Sequence, residues 1–509
     1  MAVDPAGPEG RSAASYVALA HLSDHDPTSI PPAGNAGIGS RALRNTVLVL
    51  AAKIAARLVA LVTVIAILQH LGEGRYGAFA TLVNYTAIVS VVLDLGFNVL
   101  FVREGARHPD QIQRYLRNVM SARVLLAVVT FALLALALGL AGLGDYLVPG
   151  FLLMLLTSYS NLLRNGLYAV QRLGYEAIAV VLESAVLLAF VLVGIKINAG
   201  VSYFVWAYAA QYGFSCVYFT VVLAAKRIAV IGWRFEPPFI REWFWKGLPF
   251  ALTFVLSILY FKIDQPMVYA IRGSTEAGLY GAAYKPFESL LFIPITFLSI
   301  VFPVLSIYHR ETPGELLRGL NRFFKALLLM GWPMAVGGFV IAGSLNDTLH
   351  LFPGSAPAFR ILALSLGLAF VNNAFIGALS AADRQSSFTW AAGWSLVANL
   401  ALNVALIPPY GYIGASWATV LTEVVLGVAG WILVARHVGR LPVVSLSWRI
   451  LVAGLVMGVA VYPLRNFSGK EIAIPLVAGA AVYAVAVLLL RGVTKDEINW
   501  ARRAMAIPR

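Results

Sequence analysis

From residue 45 onward, apolar runs of about twenty residues or more follow one another, separated by short polar breaks. A helix rising ~1.5 Å per residue needs about twenty apolar residues to cross the hydrocarbon of a bilayer. The pattern predicts fourteen crossings, at 45–71, 77–102, 119–143, 147–170, 177–197, 201–225, 247–271, 278–305, 321–344, 357–382, 387–408, 411–436, 447–466 and 471–491. The runs are too long for membrane strands and lack the strict apolar/polar alternation of a barrel wall, so each reads as a helix. The predicted fold is an all-α integral membrane protein.

Residues 1–40 break the pattern. They are rich in Pro, Gly, Ala and Ser, hold no apolar core of signal-peptide length, and read as a flexible cytoplasmic tail. A second tail, 492–509, follows the last run. The longest inner connection, 226–246, contains Pro237 and Pro238, then Trp243, Phe244 and Trp245 beside Lys246. Aromatic and basic residues together suit the headgroup region. One reading is an interfacial linker between an N-lobe at 41–225 and a C-lobe at 247–436, with two added helices at 437–491. A plain aromatic belt opening the seventh helix is the other.

An internal repeat supports two lobes. GEGRYGAFA (72–80) stands between the first and second runs, and EAGLYGAAY (276–284) between the seventh and eighth. They share Gly-x-Tyr-Gly-Ala, at Gly74, Tyr76, Gly77 and Ala78 and at Gly278, Tyr280, Gly281 and Ala282. Glycine suits the tight turn between adjacent helices. Matching places six helices apart predict two six-helix bundles of the same topology.

Composition narrows the function. Of 509 residues, 60% are hydrophobic and 12% charged, about half the charge of a soluble domain. That excludes a soluble enzyme and a disordered chain, and the single Cys216 excludes a disulfide scaffold. Lys and Arg total 38 against 24 Asp and Glu. With the N-terminus placed in the cytoplasm, 28 of the 38 fall on the inner side, 6 on the outer side and four inside the runs. This asymmetry predicts cytoplasmic termini. It also leaves too little basic surface to read nucleic acid.

The four buried cations are Lys53, Arg57, Lys262 and Lys285. Such a group costs about 2.5–3.5 kcal/mol near mid-membrane on insertion scales and therefore faces a polar interior. Lys53 and Arg57 share one helix face at i,i+4 spacing and call for an anion nearby. That anion is either a carboxylate of the protein or a substrate phosphate, which suits the planar fork of Arg57. Lys53 is also near enough to the inner face to snorkel. In the second lobe Lys285 and Glu288, at i,i+3, either neutralise each other or line a site. Lys262 and Asp264 stand two apart and point to nearly opposite sides of a helix, so Lys262 is placed toward the cavity and Asp264 toward a neighbouring helix or the outer interface.

Asp94 reads as a polar anchor near the inner face. Glu423, near mid-span, reads as the acid able to carry a coupling proton. Asn372, Asn373, Asn399 and Asn403 read as interhelical hydrogen-bond glue. Pro249, Pro266, Pro294 and Pro303 mark the seventh and eighth helices for bending. The seven histidines fall in tails, loops or span ends, and no GxxxxGK[ST] phosphate loop occurs. With short outer loops, these absences predict no enzyme, no cofactor and no metal. The coupling ion, H+ or Na+, stays open.

Residues 45–80, then VVLDLGFNVLFVREGAR at 91–107, resemble the opening of Wzx-like polysaccharide (O-antigen) flippases. These belong to the multidrug/oligosaccharidyl-lipid/polysaccharide exporter superfamily. FKIDQPMVYAIRGSTEAGLYGAAYKPFESLLFIP (261–294) looks like the family's helix 7–8 region, and YGYIGASWATVLTE (410–423) like the start of its helix 12. The resemblance covers about 41–490. It implies a two-lobed transporter of the bacterial cytoplasmic membrane that carries an undecaprenyl-diphosphate-linked oligosaccharide from inner to outer leaflet. Arg57, Lys53, Lys262 and Lys285 would be its cavity cations, and Glu288, Glu423, Asp94 and Asp264 its coupling or charge-partner acids. Expected partners are membrane lipids and polysaccharide-assembly proteins, around a monomer. Alternatives are a lipid II flippase, whose Arg-Asp pair late in the first helix is missing here, and a cation-coupled drug or metabolite antiporter.

Overall fold

The computed structural model describes residues 36–493, without the side chains of 36–53, Leu173 and Pro313. The tail readings at 1–35 and 494–509 and the side chain of Lys53 therefore lie outside the described residues. Sixteen α-helices make up the fold, and no strand occurs among the described residues. The first lobe holds α1 (Ala36–Asp94), α2 (Phe97–Arg107), α3 (Ile112–Leu140), α4 (Leu147–Ala169), α5 (Leu173–Lys196) and α6 (Val201–Ala225). The second holds α7 (Pro237–Lys262), α8 (Asp264–Arg272), α9 (Ser274–Leu290), α10 (Phe292–Glu311), α11 (Pro313–Val340), α12 (Ala342–Thr348), α13 (Ala356–Ala381) and α14 (Gln385–His437). Then come α15 (Val443–Val461) and α16 (Ala473–Leu489). The first tail read from sequence ends too late, because α1 already begins at Ala36.

Among the described residues, twelve stretches are long and apolar enough to cross a membrane. Two of them, Ile54–Asp94 (41 residues) and Gln385–His437 (53 residues), contain one non-helical residue each, Gly72 and Gly411. These glycines fall at the polar breaks predicted between the first and second and the eleventh and twelfth runs. Proline sets two further breaks. Pro266 has no N–H to give the Lys262 carbonyl, and the helix interrupts at Ile263; Pro294 does the same to Leu290, with the interruption at Leu291. Pro249 and Pro303 lie inside α7 and α10.

Between apolar helices in lipid, close packing replaces the hydrophobic effect as the driving force. The α11–α13 seam shows how. Gly331, Ala335 and Gly338 face Phe370, Gly367 and Ala363 in antiparallel order. A Cβ at Gly331 would stand 2.6 Å from the Phe370 Cβ, and Phe370 itself is fully buried. Gly331→Leu is expected to overpack this seam by about 1–3 kcal/mol, read as a lowered thermal midpoint in detergent. An unchanged midpoint would mean that the seam yields freely. Against the far face of α11, Trp332 Nε1 donates to the Leu451 carbonyl (3.1 Å) and Tyr483 Oη to that of Leu329 (3.2 Å), fixing α15 and α16.

The stretch read as a linker divides in two. Residues 228–236 run without helix along α3. The Gln113 side chain bonds both backbone groups of Val230 (2.6 and 2.7 Å), Ser121 Oγ accepts from the Arg234 N–H (3.0 Å), and Asn118 Oδ1 from the Glu236 N–H (2.9 Å). Hydrogen bonds from Arg114 hold the Glu236 carboxyl down at about 2. From Pro237 the chain is already helix α7, proline suiting a first helical turn. Trp243 does not face the headgroups: it is buried against Tyr115 and Phe239, with ring centroids 5.1 and 4.6 Å away, while Trp245 stays exposed.

Candidate functional site

The two lobes touch at both ends of α1's second half. At one end the repeated motifs meet. A Cβ at Gly77 would stand 1.8 Å from the Ser274 carbonyl oxygen, and one at Gly278 would stand 2.0 Å from that of Glu73. The sequence reading gave these motif glycines to the turns. The turns are instead made at Gly72 and Gly273, where φ is +74° and +87°, and the motif glycines let two backbones touch. At the other end, a Cβ at Gly96 would stand 2.4 Å from the Gly247 carbonyl oxygen, and one at Gly247 2.5 Å from that of Leu95. Gly77 and Asp94 are separated by about 26 Å of helix.

Between these contacts lie two small cavities. The first, about 310 Å³ of non-atom space, is lined by Ala80 and Asn84 of α1 and by Lys262, Asp264, Gln265 and Lys285 among others. Lys262 Nζ stands 2.5 Å from Glu288 Oε1, and Lys285 Nζ stands 2.9 Å from Glu288 Oε2. One carboxylate therefore serves two ammonium groups, one from each side of the α7–α8 interruption. Arg57 is exposed, lines neither cavity and has no ion-pair partner among the described residues. The first cavity itself sets two cations, Lys262 and Lys285, against two carboxylates, Asp264 and Glu288.

The second cavity, about 260 Å³, shares Phe261, Asp264 and Tyr284 with the first and adds Asn399, Thr419 and Glu423. Asp264 Oδ1 accepts from Asn403 (2.7 Å), and Oδ2 accepts from Tyr280 (3.0 Å) and Thr419 (2.9 Å). Glu423 accepts from Tyr260 (2.9 Å) and Asn372 (2.6 Å). Neither acid has a cationic partner among the described residues. Three of the four asparagines predicted as glue between helices thus serve carboxylates, Asn372 and Asn403 directly and Asn399 through its 3.0 Å bond from Asn403, while Asn373 donates to the Ala369 carbonyl of its own helix.

Lys262 lines the first cavity and Asp264 turns to neighbouring helices as expected, held by Tyr280 of α9 and by Asn403 and Thr419 of α14, but Asp264 lines the first cavity as well, so the two are not opposed. Their i,i+2 argument assumes one continuous helix, and the interruption at Ile263 ends it. Two cations counted with the inner side, Arg123 and Arg164, are paired inside the bundle. Arg123 is fully buried in α3, 2.7 Å from Asp94, with Asn98 Oδ1 accepting from it at 3.0 Å. Asp94 is thereby paired and braces the turn that leads to Gly96. Arg164 in α4 pairs with Glu183 of α5 at 2.6 Å, and Ser215 of α6 donates to the same Glu183 oxygen at 2.6 Å. Sequence reasoning also missed Tyr280, Tyr260, Gln265 and Thr419, whose hydroxyl or amide groups look ordinary until the helices meet.

The family described as "Polysaccharide biosynthesis protein" matches residues 42–309. The probable flippase AglR of Haloferax volcanii is 23% identical over 252 residues, which are 47% of this chain and 52% of AglR; the chain thus spans about half the length of that curated relative. Among solved structures, the lipid II flippase MurJ in an inward closed conformation superposes with a TM-score of 0.74 at 14% identity, covering 87% of this chain and 99% of MurJ. An inward-facing multidrug resistance MATE transporter of the MOP superfamily gives 0.60 at 14% identity, covering 77% and 98%. The chain is thus a multi-pass membrane protein with the fold of these solved transporters, and the relatives named are flippases and transporters, not enzymes.

Proposed function

We propose, for a chain that belongs to the polysaccharide biosynthesis protein family, the activity of a flippase that moves an undecaprenyl-diphosphate-linked oligosaccharide from the inner to the outer leaflet of a bacterial cytoplasmic membrane. The observation that supports this reading is that Lys262 and Lys285 share one carboxylate, Glu288, between the two glycine contacts, while Arg57 of the first lobe has no ion-pair partner among the described residues. A diphosphate supplies negative charge to these cations. Its sugars need far more room than two cavities of about 310 and 260 Å³, so the lobes part at one glycine contact while the other holds.

In this reading the chain crosses fourteen times, counting the stretches broken at Gly72 and Gly411 as two each, and both termini lie on the basic, cytoplasmic side. The Gly77–Gly278 contact is then the outer closure and Gly96–Gly247 the inner one. Asp264 and Glu423 are the seat of the coupling cation, H+ or Na+. Two buried carboxylates with neutral partners only are costly unless a proton or metal cation joins them. The same pair is what favours a second reading, an antiporter of cationic compounds.

The test is transport in proteoliposomes. Arg57→Ala is expected to abolish movement of lipid-linked oligosaccharide while the protein still inserts and folds. Normal activity in both Arg57→Ala and Lys262→Ala variants would remove the anion site. Transport of organic cations, but not of the glycolipid, by the unmodified protein would favour the antiporter.

A further inference from the structure

Tyr76 and Tyr280 are the same position of the internal repeat, yet their hydroxyls have opposite fates. Tyr280 Oη donates to Asp264 at 3.0 Å and lies 3.3 Å from Thr419 Oγ1. Tyr76 is fully buried, and its hydroxyl has no partner among the described residues. A buried hydroxyl left without a bond is costly and calls for an explanation.

Its surroundings supply one. The Tyr76 ring lies 3.4 Å from where a Gly281 Cβ would stand. Gly281 lines the first cavity and precedes Lys285 by one helical turn. Tyr76 also stands on the seam that must open, one residue before Gly77. An idle O–H donor packed against Gly281, one helical turn from Lys285 and on a parting surface, matches a phosphate oxygen, which accepts such bonds strongly.

We propose that the Tyr76 hydroxyl donates to the substrate's phosphate as the α1–α9 seam opens, completing with Lys285 an anion seat on the exit side of the cavity. This rests on the diphosphate reading above. The test compares unmodified protein with Tyr76→Phe in detergent, by native mass spectrometry with undecaprenyl diphosphate and with uncharged undecaprenol, and by thermal melting. Tyr76→Phe is expected to melt at the same temperature or higher, since an unmade bond is removed. It is expected to bind the diphosphate about ten- to a hundredfold more weakly and undecaprenol unchanged. A lowered melting temperature would show that the hydroxyl already has a partner, and equal diphosphate binding by both proteins would show that it is idle; either overturns the role of Tyr76 alone. An unmodified protein that prefers the diphosphate no more than undecaprenol overturns the diphosphate reading, and Tyr76's role with it.

Discussion

Gly278→Leu is expected to stop transport in a protein that still folds. The new side chain would start 2.0 Å from the Glu73 carbonyl oxygen, and 2.8 Å from the carbon behind it. Those are backbone atoms of α1 and cannot swing aside as a side-chain tip can. Overpacking of this kind costs about 1–3 kcal/mol, enough to shift an open–closed equilibrium about five- to a hundredfold, and contact with backbone belongs at the upper end. The lobes then stay parted at the Gly77–Gly278 end. Cysteine labelling reads this out, because the native Cys216 is largely packed and sits 3.5 Å from the Leu156 carbonyl oxygen. A cysteine at Asn84, in the cavity wall, should react with an impermeant reagent from that side in Gly278→Leu and not in its parent. Undiminished transport by Gly278→Leu would show that this contact need never close.

Glu288→Gln carries the second large effect. It removes the negative charge that Lys262 and Lys285 share and turns one of the two acceptor oxygens into an N–H donor facing an ammonium group. Breaking a fully buried pair from one side costs about 3–5 kcal/mol; this pair is partly exposed, so the thermal midpoint should fall by a smaller but measurable amount. An anionic lipid should then restore the variant more than it stabilises the parent, because it fills the place the carboxylate left. Melting curves with and without undecaprenyl diphosphate measure both effects. An unchanged midpoint would mean that water already satisfies the two lysines.

Much of the helical framework was legible because apolar length is written locally, and the breaks at Gly72 and Gly411 fall where polar residues interrupt the runs. The cations at 57, 262 and 285 were legible for a related reason: a charge inside an apolar run stands out. What stayed hidden depends on contacts across helices. Arg123 and Arg164 lie near the ends of their predicted runs and count with the inner side, and only their approach to Asp94 and Glu183, 29 and 19 residues away, shows them paired within the bundle. Asp264 faces neighbouring helices as its position suggested, but that it shares a cavity with Lys262 depends on a local fact, the missing N–H of Pro266, whose consequence is a change of direction that spacing rules do not see. Tyr76 was quoted as part of a motif, but an unmade hydrogen bond leaves no trace in sequence.

The segment that joins the lobes acts as a splint. Residues 228–236 are fastened to α3 by Gln113, Asn118 and Ser121, and the first turns of α7 are packed on Tyr115. The opening ten residues of α7 therefore travel with the first lobe, although the rest of the same helix reaches the cavity of the second. Any swing of one lobe on the other has to be absorbed beyond Lys246, where Gly247 meets Leu95 and Pro249 leaves a carbonyl without its helical donor. The axis of rotation is thereby fixed near one face of the bundle, and displacement grows along the lever toward Gly77 and Gly278. The widest travel falls at the mouth through which a bulky headgroup would leave.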